Sequence, residues 1–178
     1  SSSSAASDVY KRQDVVVLAT GSVPLTIPFP GLEDSNWMMA SDLLDGTSQV
    51  NSKSALVIGG GLVGLETADY LSKQGHKIIL VEMLPKIGAD MDPLAKSMLL
   101  ERLNQQNVEI HKNSRVMKLT ENEVFVQQGE DTVQFPIETV VMAVGVRANR
   151  ELEDSLENSG LDINCLLYTS PSPRDRTR

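Results

Sequence analysis

The sequence predicts an α/β protein: a doubly wound parallel sheet with a small antiparallel β-meander. Three observations predict it. Four short apolar runs, "DVVVLAT", "SALVIGG", "KIILVEM" and "ETVVMAVG", have the length and β-branched content of buried parallel strands. Helical periodicity fills the gap between the second and third runs and returns after the third. From Arg115 to Gln134 apolar and polar residues alternate, as a half-buried antiparallel strand set requires.

Taken in order, Asp14 to Thr20 reads as a fully buried parallel strand stopping at Gly21. Between Gly21 and Gly31 stand Pro24, Pro28 and Pro30, which predict an extended connector, since proline and the residue before it resist helix. Trp37, Met38 and Met39 fall in this connector and are read as packing residues. "SALVIGG" is the next strand. Leu62 to Gln74 is a helix with Gly64, Ala68 and Leu71 on one stripe, and Gly75 stands in the C′ position. Lys77 to Met83 is a strand. Asp92 followed by Pro93 reads as an N-cap and N1 pair opening a helix to about Asn107, with Met98, Leu99 and Leu103 as its core stripe. "VEIHKN" is a short strand, the alternating region a meander, and Glu138 to Gly145 a last buried strand.

Both ends stand apart. Residues 1–13 and 165–178 are biased to Ser, Pro and Arg, lack periodicity and resemble translated adapter sequence, so the expectation is a non-native or disordered stretch at each end of a fragment. The single cysteine, Cys165, falls in the second stretch, so no disulfide framework or cysteine metal site is expected. His76 and His111 have no partners at ligand spacing, and no metal is expected. The formal net charge is −8, which argues against nucleic acid and anionic membrane as partners. No apolar run approaches the roughly 20 residues of a membrane span, and no signal segment is visible; a cytoplasmic setting is expected.

Gly59, Gly61 and Gly64 form G-x-G-x-x-G directly after a strand and at the start of a helix. Glu82 lies 21 positions past Gly61, at the end of the next strand, near the spacing of about 20 expected of a Rossmann-like dinucleotide site. Each glycine serves a physical purpose, with Gly59 permitting the tight turn, Gly61 the close approach of a pyrophosphate and Gly64 helix-on-strand packing. The amides around Gly60, Leu62, Val63 and Gly64 and the positive end of the helix dipole face the anion, so no basic patch is needed. Glu82, with Met83 beside it, can accept from the adenosine ribose and repels a 2′-phosphate, which favours NAD(H) and disfavours NADP. Lys86 is the cation behind Glu82, read as an exposed loop lysine.

The ordered landmarks are "ATG" at Ala19–Gly21, "PG" at Pro30–Gly31, "GGGLVGLE", and "AVGVRAN" at Ala143–Asn149. Together they resemble the pyridine nucleotide–disulfide oxidoreductase superfamily of flavoproteins with two dinucleotide-binding domains. "GGGLVGLETADYLSKQGHKIILVEMLPKIGADM" is most similar to the C-terminal part of 2-enoate and 2,4-dienoyl-CoA reductase-like enzymes. The resemblance implies an NAD(P)H domain at 51–145 inserted in a partial FAD domain, with 14–50 leaving that domain and 146–164 returning to it. It implies hydride transfer from NADH to flavin. FAD would be held with the rest of the flavoprotein chain, and the parent would carry FMN and an iron–sulfur cluster. It places Glu66 near the flavin, where the residues alone also allow a first-turn acid complementing the helix dipole. It brings the backbone of Ala143, Val144 and Gly145 close to the nucleotide, where the residues alone allow a strand ending at a glycine turn. Val146 and Ala148 depart from the Arg and Pro usual in the return motif, so Gly145, Arg147 and Asn149 carry it. No catalytic side chain is expected, and the fragment alone is expected to be inactive. Three other readings are a non-catalytic NAD(H)-sensing module, a disulfide-reductase-type flavoenzyme fragment, and an FAD site at Gly59–Gly64; the upstream "ATG" strand argues against the last.

Overall fold

In the computed structural model, which describes residues 16–156 and 163–165, the apolar runs become strands close to their expected places. In chain order these are β1 (Val16–Leu18), β2 (Ser22–Pro24), β3 (Trp37–Met39), β4 (Ser54–Ile58), β5 (Lys77–Val81) and β6 (Glu109–His111). They continue as β7 (Ser114–Leu119), β8 (Glu123–Gln128), β9 (Asp131–Pro136), β10 (Thr139–Met142), β11 (Val146–Ala148) and β12 (Ile163–Cys165). The helices are α1 (Ala40–Leu44), α2 (Leu62–Lys73), α3 (Pro93–Gln105) and α4 (Glu151–Leu156). Two compact units result: Pro24–Gly145, and the described residues up to Val23 and from Val146 onward.

The larger unit is built on a five-stranded sheet of order β3-β10-β4-β5-β6, parallel throughout. Its two faces are covered differently. On one, Ala55, Val57, Ile78, Leu80 and Val141 pack with Leu65, Ala68 and Leu71 of α2, Leu99 and Leu103 of α3, and Ala40 and Leu43 of α1. On the other, Leu56, Ile58, Ile79, Val81 and Val140 pack with Val116, Leu119, Val124 and Val126 of the antiparallel meander β7-β8-β9. Every side chain of β10 and nearly every one of β4 and β5 is therefore buried, as expected for strands covered on both faces. The meander keeps its alternation, with Val124 and Val126 inward and Phe125 outward beneath the Lys118 ammonium.

Helix ends follow local chemistry. Asp92 Oδ1 accepts from Leu94 N–H at 3.0 Å and Ala95 N–H at 3.1 Å, with Pro93 at N1 as expected. At the end of α2, His76 N–H donates to Leu71 O and Gly75 N–H to Ser72 O, a Schellman closure with Gly75 at φ +91. The same closure ends α3, where Val108 N–H reaches Leu103 O and Asn107 holds φ +58. That is why α3 stops at Gln105 rather than running to Asn107. At the opposite end of the sheet from the glycine loop, the buried Thr139 hydroxyl meets Asn36 Nδ2 at 2.9 Å and Ser52 Oγ at 2.8 Å, fixing the starts of β3, β4 and β10.

Several expectations change. Met98 is 59% exposed, so the α3 stripe is Leu99 and Leu103 without it. β1 is parallel but not fully buried, because Val17 is 57% exposed and, among the described residues, β1 pairs with β12 alone. The connector contains β2, which pairs with β11 in the smaller unit, a partner that adjacent sequence does not reveal. Trp37–Met39 forms an edge strand; Met38 and Met39 pack into the two cores, while Trp37 lines an open concavity of about 620 Å³ with Phe29 and Leu32. Residues 24–50 lie in the larger unit, where β3 pairs with β10 and α1 enters the core. Cys165, by composition part of the end stretch, pairs through its backbone with Leu18. The rest of 165–178, and all of 1–13, lie outside the described residues. Among the described residues no helix is long and apolar enough to cross a membrane.

One buried charge ties the two large helices. Asp69 on α2 accepts from Arg102 Nε at 2.8 Å and Arg102 Nη2 at 2.9 Å on α3, and from Lys73 Nζ at 2.7 Å. Burial pushes the Asp69 carboxyl up, but the hydrogen bonds and charges of Arg102 and Lys73 outweigh it and hold it below 3.8. A depressed folded-state value stabilises above the unfolded value and is lost as pH falls through the folded one. We therefore expect Asp69→Asn to cost about 1.5–3 kcal/mol at neutral pH. Stability of the wild type should decline below pH 3.8 more steeply than that of the variant, as read by urea unfolding across pH.

Candidate functional site

The C-terminal ends of β4, β5 and β10 converge on the β4–α2 turn, the place where parallel sheets bind ligands. Gly59 N–H donates to Val81 O at 2.9 Å and Ala143 N–H to Ile58 O at 2.8 Å, so the three strand ends are laced together by backbone. Gly59 holds φ +110, and a Cβ there would overlap the Ala143 carbonyl oxygen. A Cβ on Gly64 would overlap the Gly59 carbonyl oxygen and sit 3.5 Å from Ala143 Cβ. A Cβ on Gly60 would lie 2.7 Å from Ile87 Cγ2 and 2.9 Å from Glu82 Cβ. Internal contacts thus demand glycine at three of the loop positions.

Gly61 is different. It is the N-cap of α2 in extended conformation, φ −72 and ψ −174, with no side-chain cap. A Cβ on it would meet nothing within 4 Å. The first helical bond is Leu65 N–H to Gly61 O at 3.0 Å, so the amides of Leu62, Val63 and Gly64 precede any intrahelical acceptor. Glycine is required there by nothing inside the fold, at the positive end of a 12-residue helix. The open cradle fits a diphosphate brought against backbone amides.

The sequence-named residues mostly gather here. Gly59, Gly60, Gly61, Leu62, Val63 and Gly64 form the turn, with Leu62 and Val63 side chains exposed. Glu82 reaches it directly, its Oε2 accepting from Gly60 N–H at 2.6 Å and its Oε1 from Leu84 N–H at 2.6 Å. Met83 follows and is 62% exposed. Ala143 lines the loop through its backbone, and Val144 is half-buried against the meander-side core. Gly145, at φ +98, follows, its carbonyl accepting from Leu25 N–H at 3.0 Å. Glu66 is exposed in the second turn of α2, which has no acid in its first turn, so the first-turn dipole role does not apply to it. Lys86 is exposed. His76 Nδ1 is 2.7 Å from Ser52 O, and His111 Nδ1 is 2.7 Å from Gln128 Nε2; among the described residues no cluster of three or more His, Cys, Asp or Glu could hold a metal ion.

Sequence reasoning missed Leu84, Ile87 and Gly88. Gly88 N–H donates to Gly60 O at 2.7 Å, and Gly88 itself holds φ +52. The signal was a glycine six positions after Glu82 in "PKIGAD", where an αL turn could be suspected.

The profile of the pyridine nucleotide-disulphide oxidoreductase family matches residues 6–166. This chain belongs to that family. Among members of the family, it is 34% identical over 158 residues to an NADH oxidase of Thermoanaerobacter brockii, covering 86% of this chain and 24% of the relative. It is 32% identical over 143 residues to a cinnamate reductase of Clostridium sporogenes, covering 78% and 21%. In fold it resembles a 2-naphthoyl-CoA reductase, with TM-score 0.73 at 21% identity over 85% of this chain and 23% of that one. The chain spans about a quarter of the length of these two relatives. The family is named for oxidoreductases that use a pyridine nucleotide.

Two substitutions separate the glycines. Gly64→Ala should cost at least about 2 kcal/mol through overpacking against the Gly59 carbonyl, whereas Gly61→Ala should cost less than about 1 kcal/mol. Denaturant unfolding of the two variants checks the contrast.

Proposed function

We propose that this chain is the NAD(P)H-binding portion of an FAD-dependent oxidoreductase that passes hydride from NADH to flavin, in a protein of the enoate or dienoyl-CoA reductase type. The single observation that carries the nucleotide reading is Gly61: a glycine facing open space at an uncapped helix N-terminus, with no internal contact to account for it. Its neighbours Leu62, Val63 and Gly64 supply the surrounding amides, while Gly60, whose N–H is taken by Glu82, shapes the turn. In this reading Glu82 accepts from the adenosine ribose with lone pairs left free by its two backbone bonds, and its charge opposes a 2′-phosphate. The exposed Met83 flanks the same side, and the backbone of Ala143, Val144 and Gly145 borders the nicotinamide side. Glu66 faces solvent here and would approach flavin in the longer protein.

The nicotinamide and flavin rings supply the redox chemistry when bound. The contribution of this chain is to anchor the diphosphate by backbone, orient the dinucleotide and keep water from the reacting face. The proposed partners are the nicotinamide dinucleotide and the remaining flavoprotein chain, which would hold FAD. The relative named for cinnamate reduction, an enoate reaction, supports the enoate branch, and an FMN and iron–sulfur centre in the parent is proposed from the resemblance alone.

Titrated with nucleotides, this chain should bind NADH at least tenfold more tightly than NADPH, retain no FAD on purification and show no reductase activity. Gly61→Val should abolish NADH binding while leaving the chain folded. Glu82→Ala should narrow the NADH to NADPH ratio of dissociation constants. Stoichiometric FAD retention, or equal binding by Gly61→Val, would count against the reading.

A further inference from the structure

The middle of the glycine loop is gripped from two sides by the segment that follows β5. Glu82 Oε2 takes the Gly60 N–H at 2.6 Å while Oε1 takes the Leu84 N–H at 2.6 Å, so one carboxylate joins the loop to the end of its own strand. Gly88 N–H donates to the Gly60 carbonyl at 2.7 Å. Ile87 is buried against Gly60, and Gly88 is wedged so that a Cβ on it would lie 2.8 Å from Met91 Sδ and 3.1 Å from Leu65 Cδ1. The two peptide units flanking Gly60 are therefore both held.

The peptide bond is planar and trans, so the Gly61 N–H points opposite to the Gly60 C=O. Because that carbonyl is fixed on Gly88, the Gly61 amide is aimed away from residues 82–88. We propose that Glu82 and Gly88 are positioning residues for the dinucleotide: together they set the direction of the Gly61 amide before ligand arrives, and Glu82 does this in addition to accepting from the ribose. The inference rests on the nucleotide reading above. It explains why the acid must carry two equivalent acceptors. Glutamine is isosteric, yet whichever way its amide turns it sets an NH₂ against one of two backbone N–H groups.

The test uses this chain, with NADH and its 2′-deoxyadenosine analogue as probes and ¹⁵N–¹H spectra of the ligand-free protein. Glu82→Gln should lower affinity for both probes by about tenfold or more and shift the Gly60 and Leu84 amide protons upfield while the rest of the spectrum stays folded. Gly88→Ala, at a different position from the ribose acceptor, should also weaken both probes and move the Gly60 and Gly61 resonances. In the wild type, the Gly60 amide should exchange with solvent slowly. The proposal is overturned if the Glu82→Gln loss disappears with the 2′-deoxy analogue, which would confine Glu82 to the ribose. It is equally overturned if Gly88→Ala binds like wild type with Gly61 unmoved, or if the Gly60 amide exchanges at the rate of an open loop. Failure of the wild type to bind NADH at all would instead remove the nucleotide reading, and with it this one, while the ligand-free spectra would still report whether the loop is held.

Discussion

The approach of α2 to the end of β4 is the constraint on which the rest depends. At Gly64 the helix lies so close to the Gly59 carbonyl that no side chain fits between them. That contact aims the helix axis at the turn and sets its first amides beside the ends of β5 and β10. Were α2 displaced by the thickness of a methyl group, Leu65, Ala68 and Leu71 would lose their seats in the helical-face core. The glycine spacing is thus a packing requirement first, and an open row of helix-end amides follows from it.

The cradle is made of main chain, which resolves a tension in the composition. A chain of net charge −8 has little to offer an anion through its side chains. Amides at a helix N-terminus supply fixed partial positive charge whatever the surface carries. The acid nearest the loop, Glu82, works with that arrangement rather than against it, since its oxygens are turned to the Gly60 and Leu84 N–H groups.

Stability and site are divided between the ends of the sheet. The starts of β3, β4 and β10 are pinned by the Thr139, Asn36 and Ser52 contacts, and α2 and α3 are clamped by the Asp69–Arg102 pair. The opposite ends carry glycines and exposed apolar side chains such as Met83 and Leu84. Meander and helices cover opposite faces of the sheet.

Much of this was legible in the chain itself because it is local. Strand runs, the Asp92–Pro93 cap, Gly75 as helix terminator and the spacing from Gly61 to Glu82 depend on residues a few positions apart or on one repeat of a βαβ unit. The same local reading mistook Met98 for core, because a helix stripe three or four residues wide does not say where its edge meets solvent. It could not see the β2–β11 pairing or the entry of β3 into the sheet, which join residues more than a hundred positions apart. Nor could it see that Gly88 holds Gly60, or that Asp69 meets Arg102. Residue order alone determined the element types and the place of the glycine turn, through backbone sterics and hydrophobic period. Which side chains close that turn, and which face each apolar residue meets, was decided only when distant segments packed, because those contacts exist in space and leave no period in the chain.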